Sequence, residues 1–138
     1  MLDKESITNS KVKNMDRSTV SARWNAVFRG LAAEPRREIV LALSNAGRDQ
    51  AVQLPAAAIP PDGVIDREQL RISLHHTHLP MLSDNGYVEW STEPFVAERG
   101  PAFPEVQSVL EAVIADAGRL PDALVEGDGR LERSVESG

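Results

Sequence analysis

Trp24, Val27, Phe28 and Leu31 recur at i, i+3, i+4 and i+7, the spacing of one apolar face of a helix. Ser21 stands before the stripe and offers a capping hydroxyl, so a helix is predicted from there. A second helix opens at Glu34-Pro35, because proline in a first turn gives up no hydrogen bond. Ile39, Val40, Leu41 and Leu43 supply its buried side, and Asn45-Ala46-Gly47 ends it. LPAAAI at 54–59 reads as a short helix, cut off by the turn-forming run Pro60-Pro61-Asp62-Gly63. Asp66 then starts a long polar–apolar segment that stops at Asn85-Gly86. YVEWSTEPFVAER reads as two strands, 87–91 and 95–99, with Thr92, Glu93 and Pro94 as the turn. From Phe103 a last helix runs to Ala117. Phe103, Val106, Val109, Leu110, Val113, Ile114 and Ala117 give it a wide apolar face.

The predicted order is helix, helix, short helix, long helix, hairpin, helix. The fold class is mainly α with a small β-hairpin wing (α+β). The order is that of a winged helix-turn-helix with an additional C-terminal helix. Residues 1–19 are polar and lack helical periodicity, and read as a flexible, weakly basic N-terminal arm. Residues 20–118 form the domain, and 119–138 an acidic tail expected to be disordered beyond Leu124.

Charge changes this picture. The chain of 138 residues has 21 acidic and 15 basic side chains, a net charge of −6. The lysines are Lys4, Lys11 and Lys13 alone. Acidity normally argues against a nucleic-acid partner. Acid excess with lysine nearly absent from the folded part also suits a protein of a high-salt cytoplasm, or simply a GC-rich genome. In molar salt the Debye length is about 3 Å, and net charge then acts little beyond contact distance. Cysteine is absent, which excludes disulfides, thiolate zinc sites and cysteine nucleophiles. MLDKESITNSKVKN has no apolar core of signal-peptide length. No segment reaches the roughly 20 apolar residues that cross a bilayer. A cytoplasmic protein without membrane contact is the expectation.

All three histidines fall within LHHTHLPML, residues 74–82. On a helical wheel Leu70, Ile72, Leu74, Leu79, Met81 and Leu82 share an arc of about 200°. Gln69, Ser73, His76, Thr77, Pro80, Ser83 and Asp84 share the rest. His75 and His78 lie toward the apolar side and His76 toward the polar side, so the three do not converge. No complete ligand set for a metal accompanies them, and no nucleophile or acid partner marks a catalytic cleft. Neither metal, cofactor nor catalysis is expected. His78 reads as a core histidine bonded to backbone or a carboxylate. Pro80 should kink the helix.

The run HLPMLSDNGYVEW resembles the recognition helix and first wing strand of the ArsR-type winged-helix repressors. It resembles still more closely a group of haloarchaeal winged-helix domains, which share the Pro35-Arg36-Arg37 helix start and the Leu74–Leu82 run. The similarity covers residues 24–98. It implies that Leu79 and Leu82 are core leucines, that Gly86 turns the helix into the wing, and that Ser73, His76 and Thr77 face the major groove. Metal sensing is not implied, since the cysteines are missing, and the wing tip, Ser91 to Pro94, carries no base.

The expected function is sequence-specific regulation of transcription by a homodimer bound to double-stranded DNA. Gln69, Ser73, His76 and Thr77 would read the bases, and Arg36, Arg37 and Arg67 near helix starts would hold the backbone. ArsR-type domains pair through their first and last helices, which points to Trp24, Phe28, Phe103, Val106, Leu110 and Val113 as the dimer interface; packing of both stripes into the monomer core is the alternative. No small-molecule effector is identifiable. A winged helix that binds protein instead of DNA is the other functional reading, since fold alone does not fix function.

Overall fold

The computed structural model describes residues 5–61, 63–125 and 131. The chain is mainly helical, with one small antiparallel sheet. Helix α1 spans Glu5–Gly30 and α2 Glu34–Asn45; β1 is Val52–Gln53. A 3-10 turn at Ala56–Ala58 follows. Helix α3 is Arg67–Ser73, a π turn covers Leu74–His78, and α4 is Leu79–Ser83. These three run on as one helical stretch, 67–83. Strands β2 (Val88–Thr92) and β3 (Phe95–Arg99) form a hairpin. Helix α5 (Phe103–Ala115), a 3-10 turn (Ala117–Arg119) and α6 (Asp122–Val125) complete the described part.

The helix expected from Ser21 begins instead at Glu5, so residues 5–19 of the expected arm are helical. No proline or glycine lies between 5 and 29 to stop it. Strand β1 was not foreseen. At two residues it is too short to carry a period, and only its pairing with β3, Val52 opposite Ala97 and Gln53 opposite Val96, defines it. The sheet order is β1-β3-β2. Residues 126–130 and 132–138, most of the expected tail, lie outside the described residues.

Pro80 sets the shape of the 67–83 stretch. Proline has no N–H for the helical ladder, and its ring crowds the carbonyl four residues back. The stretch answers with a wider turn: the Leu79 N–H reaches the carbonyl of Leu74, five residues back. A π turn inserts one residue, and so rotates everything after it by about 100° relative to an unbroken α-helix. Leu79 is thereby brought round to the side of Leu70 and Leu74, and all three are buried with Leu82. Ile72, which an unbroken wheel places beside Leu79, is left 47% exposed.

The stretch ends at Gly86, whose φ of 77° is the left-handed conformation glycine adopts freely. The Tyr87 N–H donates to the Leu82 carbonyl at 3.0 Å and the Gly86 N–H to that of Ser83 at 3.0 Å, a Schellman cap. The cap turns the chain straight into β2, as the sequence implied. Leu82 and Tyr87 both pack at Gly30 of α1. Ile39, Val40 and Leu43 of α2, Leu74, Leu79 and Leu82, Tyr87 and Val88, and Phe103 and Val106 of α5 fill the single core.

Candidate nucleic-acid interface

Asp66 fixes the start of the 67–83 stretch. Its carboxylate accepts the N–H groups of Glu68 at 3.0 Å and Gln69 at 3.2 Å, an N-cap. Because Leu70, Leu74, Leu79 and Leu82 face the core, the opposite side faces solvent. Gln69, His76 and Thr77 are exposed on it, and Arg67 is exposed on the flank of Arg71, one turn away. Ser73 is half-buried, and its hydroxyl donates to the Leu70 carbonyl at 3.1 Å. The four residues expected to read bases therefore share one surface, at positions 0, 4, 7 and 8 of their run.

Arg36 does not belong to that surface. It is buried, and all its nitrogens are engaged: Nε donates to the Gly30 carbonyl at 3.1 Å, Nη2 to that of Arg29 at 2.8 Å, and Nη1 to His78 Nδ1 at 2.8 Å. Arg37 turns the same way and donates to the Leu31 carbonyl at 2.7 Å. The expectation that Arg36 and Arg37 hold a nucleic-acid backbone is corrected accordingly. The cause is local. The last carbonyls of a helix lack intrahelical donors, and α1 ends where α2 begins, so two arginines of the first turn of α2 cap it. Of the three expected backbone-binding arginines only Arg67 stands free in solvent.

The partner of His78 is thus a guanidinium, not the backbone group or carboxylate expected. Since arginine only donates, Nδ1 must accept, and neutral His78 carries its proton on Nε2. Burial, and then the charge of Arg36, hold His78 below the ordinary histidine range. This contact ties the π turn to the junction of α1 and α2.

His75 belongs to another group. Its ring stacks on Phe95 of β3 with centroids 4.6 Å apart and meets Trp90 of β2 edge-on at 5.6 Å. Nδ1–H donates to the Arg71 carbonyl at 3.0 Å. The Arg71 guanidinium lies 5.1 Å from the centroid of the Phe95 ring, and the residue is exposed, whereas the unbroken wheel turns it inward. The signal available in the sequence was the spacing Arg67, Arg71, His75, one residue per turn along a single flank.

On α1 and α5 Trp24 (49%), Phe28 (59%) and Val113 (40%) are exposed. The Trp24 and Phe28 rings touch, with centroids 5.5 Å apart. Phe103, Val106 and Leu110, expected beside them at a dimer interface, are instead 1%, 0% and 6% exposed. They fill the monomer core because α5 packs on both α1 and α2. A hollow of about 260 Å³ lies between Val20, Trp24 and Val27 of α1 and Val109 of α5, with the Arg23–Glu105 ion pair at its edge.

Among the described residues no three metal-ligating side chains come together, and no helix is long and apolar enough to cross a membrane. Compared with protein-family models, characterised proteins and solved structures, the chain matches none.

Proposed function

We propose that the chain is a winged helix-turn-helix regulator of transcription, similar to the ArsR type, that binds double-stranded DNA as a homodimer. The observation that carries this reading is the solvent face of the 67–83 stretch. Gln69, Ser73, His76 and Thr77 lie together there, on a helix anchored by its leucines and flanked by a hairpin. A major groove about 12 Å wide admits such a helix, and amide, hydroxyl and imidazole groups offer donors and acceptors to base edges. Trp24, Phe28 and Val113, exposed on the α1–α5 side, supply the apolar surface for a second copy. The net charge of −6 costs little at the salt of a halophilic cytoplasm, where screening acts within a few ångströms.

A protein-binding winged helix is the second reading. Ile72, 47% exposed in the midst of the polar face, favours it. The two readings differ in one experiment. Random-sequence duplexes incubated with the protein in molar potassium chloride, and recovered over several rounds, should converge on a two-fold symmetric site with half-sites about 10 base pairs apart. Recovery of no common sequence at any salt would count against DNA binding and for the interaction module.

A further inference from the structure

We propose that Arg71, laid on the ring of Phe95, is the principal anion- or guanine-binding side chain of the DNA surface; this rests on the DNA-binding reading above. Arginine is the commonest reader of guanine and forks onto phosphate equally well. None of Gln69, Ser73, His76 or Thr77 is an arginine, and Arg36 and Arg37 are spent on backbone carbonyls. Arg71 supplies what that face lacks.

Its setting suits the task. The guanidinium lies 5.1 Å from the centroid of the Phe95 ring, the geometry of a cation–π contact. The contact holds the guanidinium at the ring. Among the described residues no hydrogen bond or ion pair takes up its N–H groups. Phe95 is itself held by His75, stacked at 4.6 Å, and by Trp90 at 6.5 Å. A side chain already ordered loses less conformational freedom when it binds a planar, two-pronged acceptor.

The charges of the hairpin are sorted in the same sense, while on the helix Glu68 is exposed three residues before Arg71. In the hairpin Trp90 opposes Ala97 and Thr92 opposes Phe95 on the side that meets the helix, while Glu89 opposes Glu98 on the other side. The carboxylates of the two strands therefore point away from Arg71. Arg67, one turn earlier on the same flank and exposed, extends the positive edge. The acceptor can be a phosphate oxygen pair or the O6/N7 edge of a guanine, both presented by duplex DNA at the border of helix and hairpin.

The test uses the whole chain and a duplex recovered by the selection described above. Arg71 is exposed, so Arg71→Ala and Arg71→Lys should unfold at the wild-type temperature. Both are expected to bind about 5- to 150-fold more weakly, the range for one lost bidentate contact. Lysine fails because an ammonium neither stacks flat nor forks. Phe95→Leu keeps the arginine and an apolar side chain but removes the ring, and should lose a few-fold. If the acceptor is phosphate, Arg71→Ala lowers the slope of log affinity against log salt by about 1. If it is guanine, the slope stays and the preference for one G·C pair disappears. Wild-type affinity in Arg71→Ala would overturn the assignment of Arg71 while leaving DNA binding intact. An Arg71 effect that Phe95→Leu does not share overturns the role of the ring. Failure of the wild-type chain to select any duplex overturns the DNA-binding reading and this contact with it.

Discussion

Arg36→Ala is expected to lower the free energy of unfolding by about 3 kcal/mol or more, at roughly 1–3 kcal/mol for each buried group left without a partner. The substitution strands the carbonyl of Gly30 and Nδ1 of His78 together, and leaves the carbonyl of Arg29 with the Ala32 N–H alone, at 3.2 Å. It also empties the space of a long side chain that is only 6% exposed. Lysine at 36 should recover little, since one ammonium cannot reach three acceptors in the directions the guanidinium plane serves. Urea unfolding at pH 7.5 measures the loss as a lower midpoint; a change within about 0.5 kcal/mol, ordinary for a surface substitution, would mean that the guanidinium is not the anchor of this junction. The same contact dictates a pH dependence. His78 in the folded chain titrates below 6.5, its ordinary value, so the unfolded chain binds more protons in the window just below that value. Stability then rises with pH through this window and is complete above 6.5. Acidification removes it as pH falls through the folded value, because a charged His78 can no longer accept from Arg36. His78→Gln should flatten that part of the profile. A wild-type midpoint that does not move between pH 7.5 and 5 contradicts the neutral, accepting imidazole.

Val113→Asp is expected to convert a dimer into a folded monomer and to weaken binding to a two-fold site by about a hundredfold or more, the scale set by losing the effective concentration of a linked second half-site. Val113 is 40% exposed on α5 at the edge of a hollow shared with Leu41, Leu110 and Ile114, so a carboxylate there still reaches water in the monomer and would be shut away from it in the pair. Phe28→Asp, at 59% exposed on α1, should act alike. Leu110→Asp serves as the contrast. Leu110 is 6% exposed, and its replacement should unfold the chain rather than split it. Sedimentation at high micromolar concentration in molar salt reports the assembly directly. A wild-type chain that sediments as a monomer there contradicts pairing through this surface.

The elements with a strong local signature were legible before any coordinates. The start of the long helical segment at Asp66, Gly86 as the turn out of it, the second strand at 95–99 and the start of α5 at Phe103 stand where the sequence put them, and the first strand lies one residue later, at Val88–Thr92. What escaped prediction depended on contacts or on backbone irregularity. β1 exists through its two pairings with β3. The extension of α1 back to Glu5 has no apolar stripe to announce it. Pro80 was recognised as a disturbance, but a kink and a π turn have different consequences, and only the π turn rotates Leu79 inward and leaves Arg71 and Ile72 outside. The candidate surface followed the same rule. Gln69, His76 and Thr77 are exposed and Ser73 is half-buried, as a polar arc of the helix suggests. Arg36 and Arg37 were misassigned because the sequence does not reveal that α1 ends with free carbonyls beside them. Phe103, Val106 and Leu110 were assigned to an interface because an apolar stripe looks the same whether its partner is the monomer core or another chain.

Base reading by the solvent face of the 67–83 stretch carries the proposed function. Fluorescence anisotropy with a selected duplex and with a scrambled duplex, in molar salt, tests it on the His76→Ala/Thr77→Ala chain. Both side chains are exposed, so the variant should fold and dimerise as the wild type does. The account predicts a loss on the selected duplex of about 1–3 kcal/mol for each base contact removed, with affinity for the scrambled duplex unchanged. Equal affinity of variant and wild type for the selected duplex would contradict it.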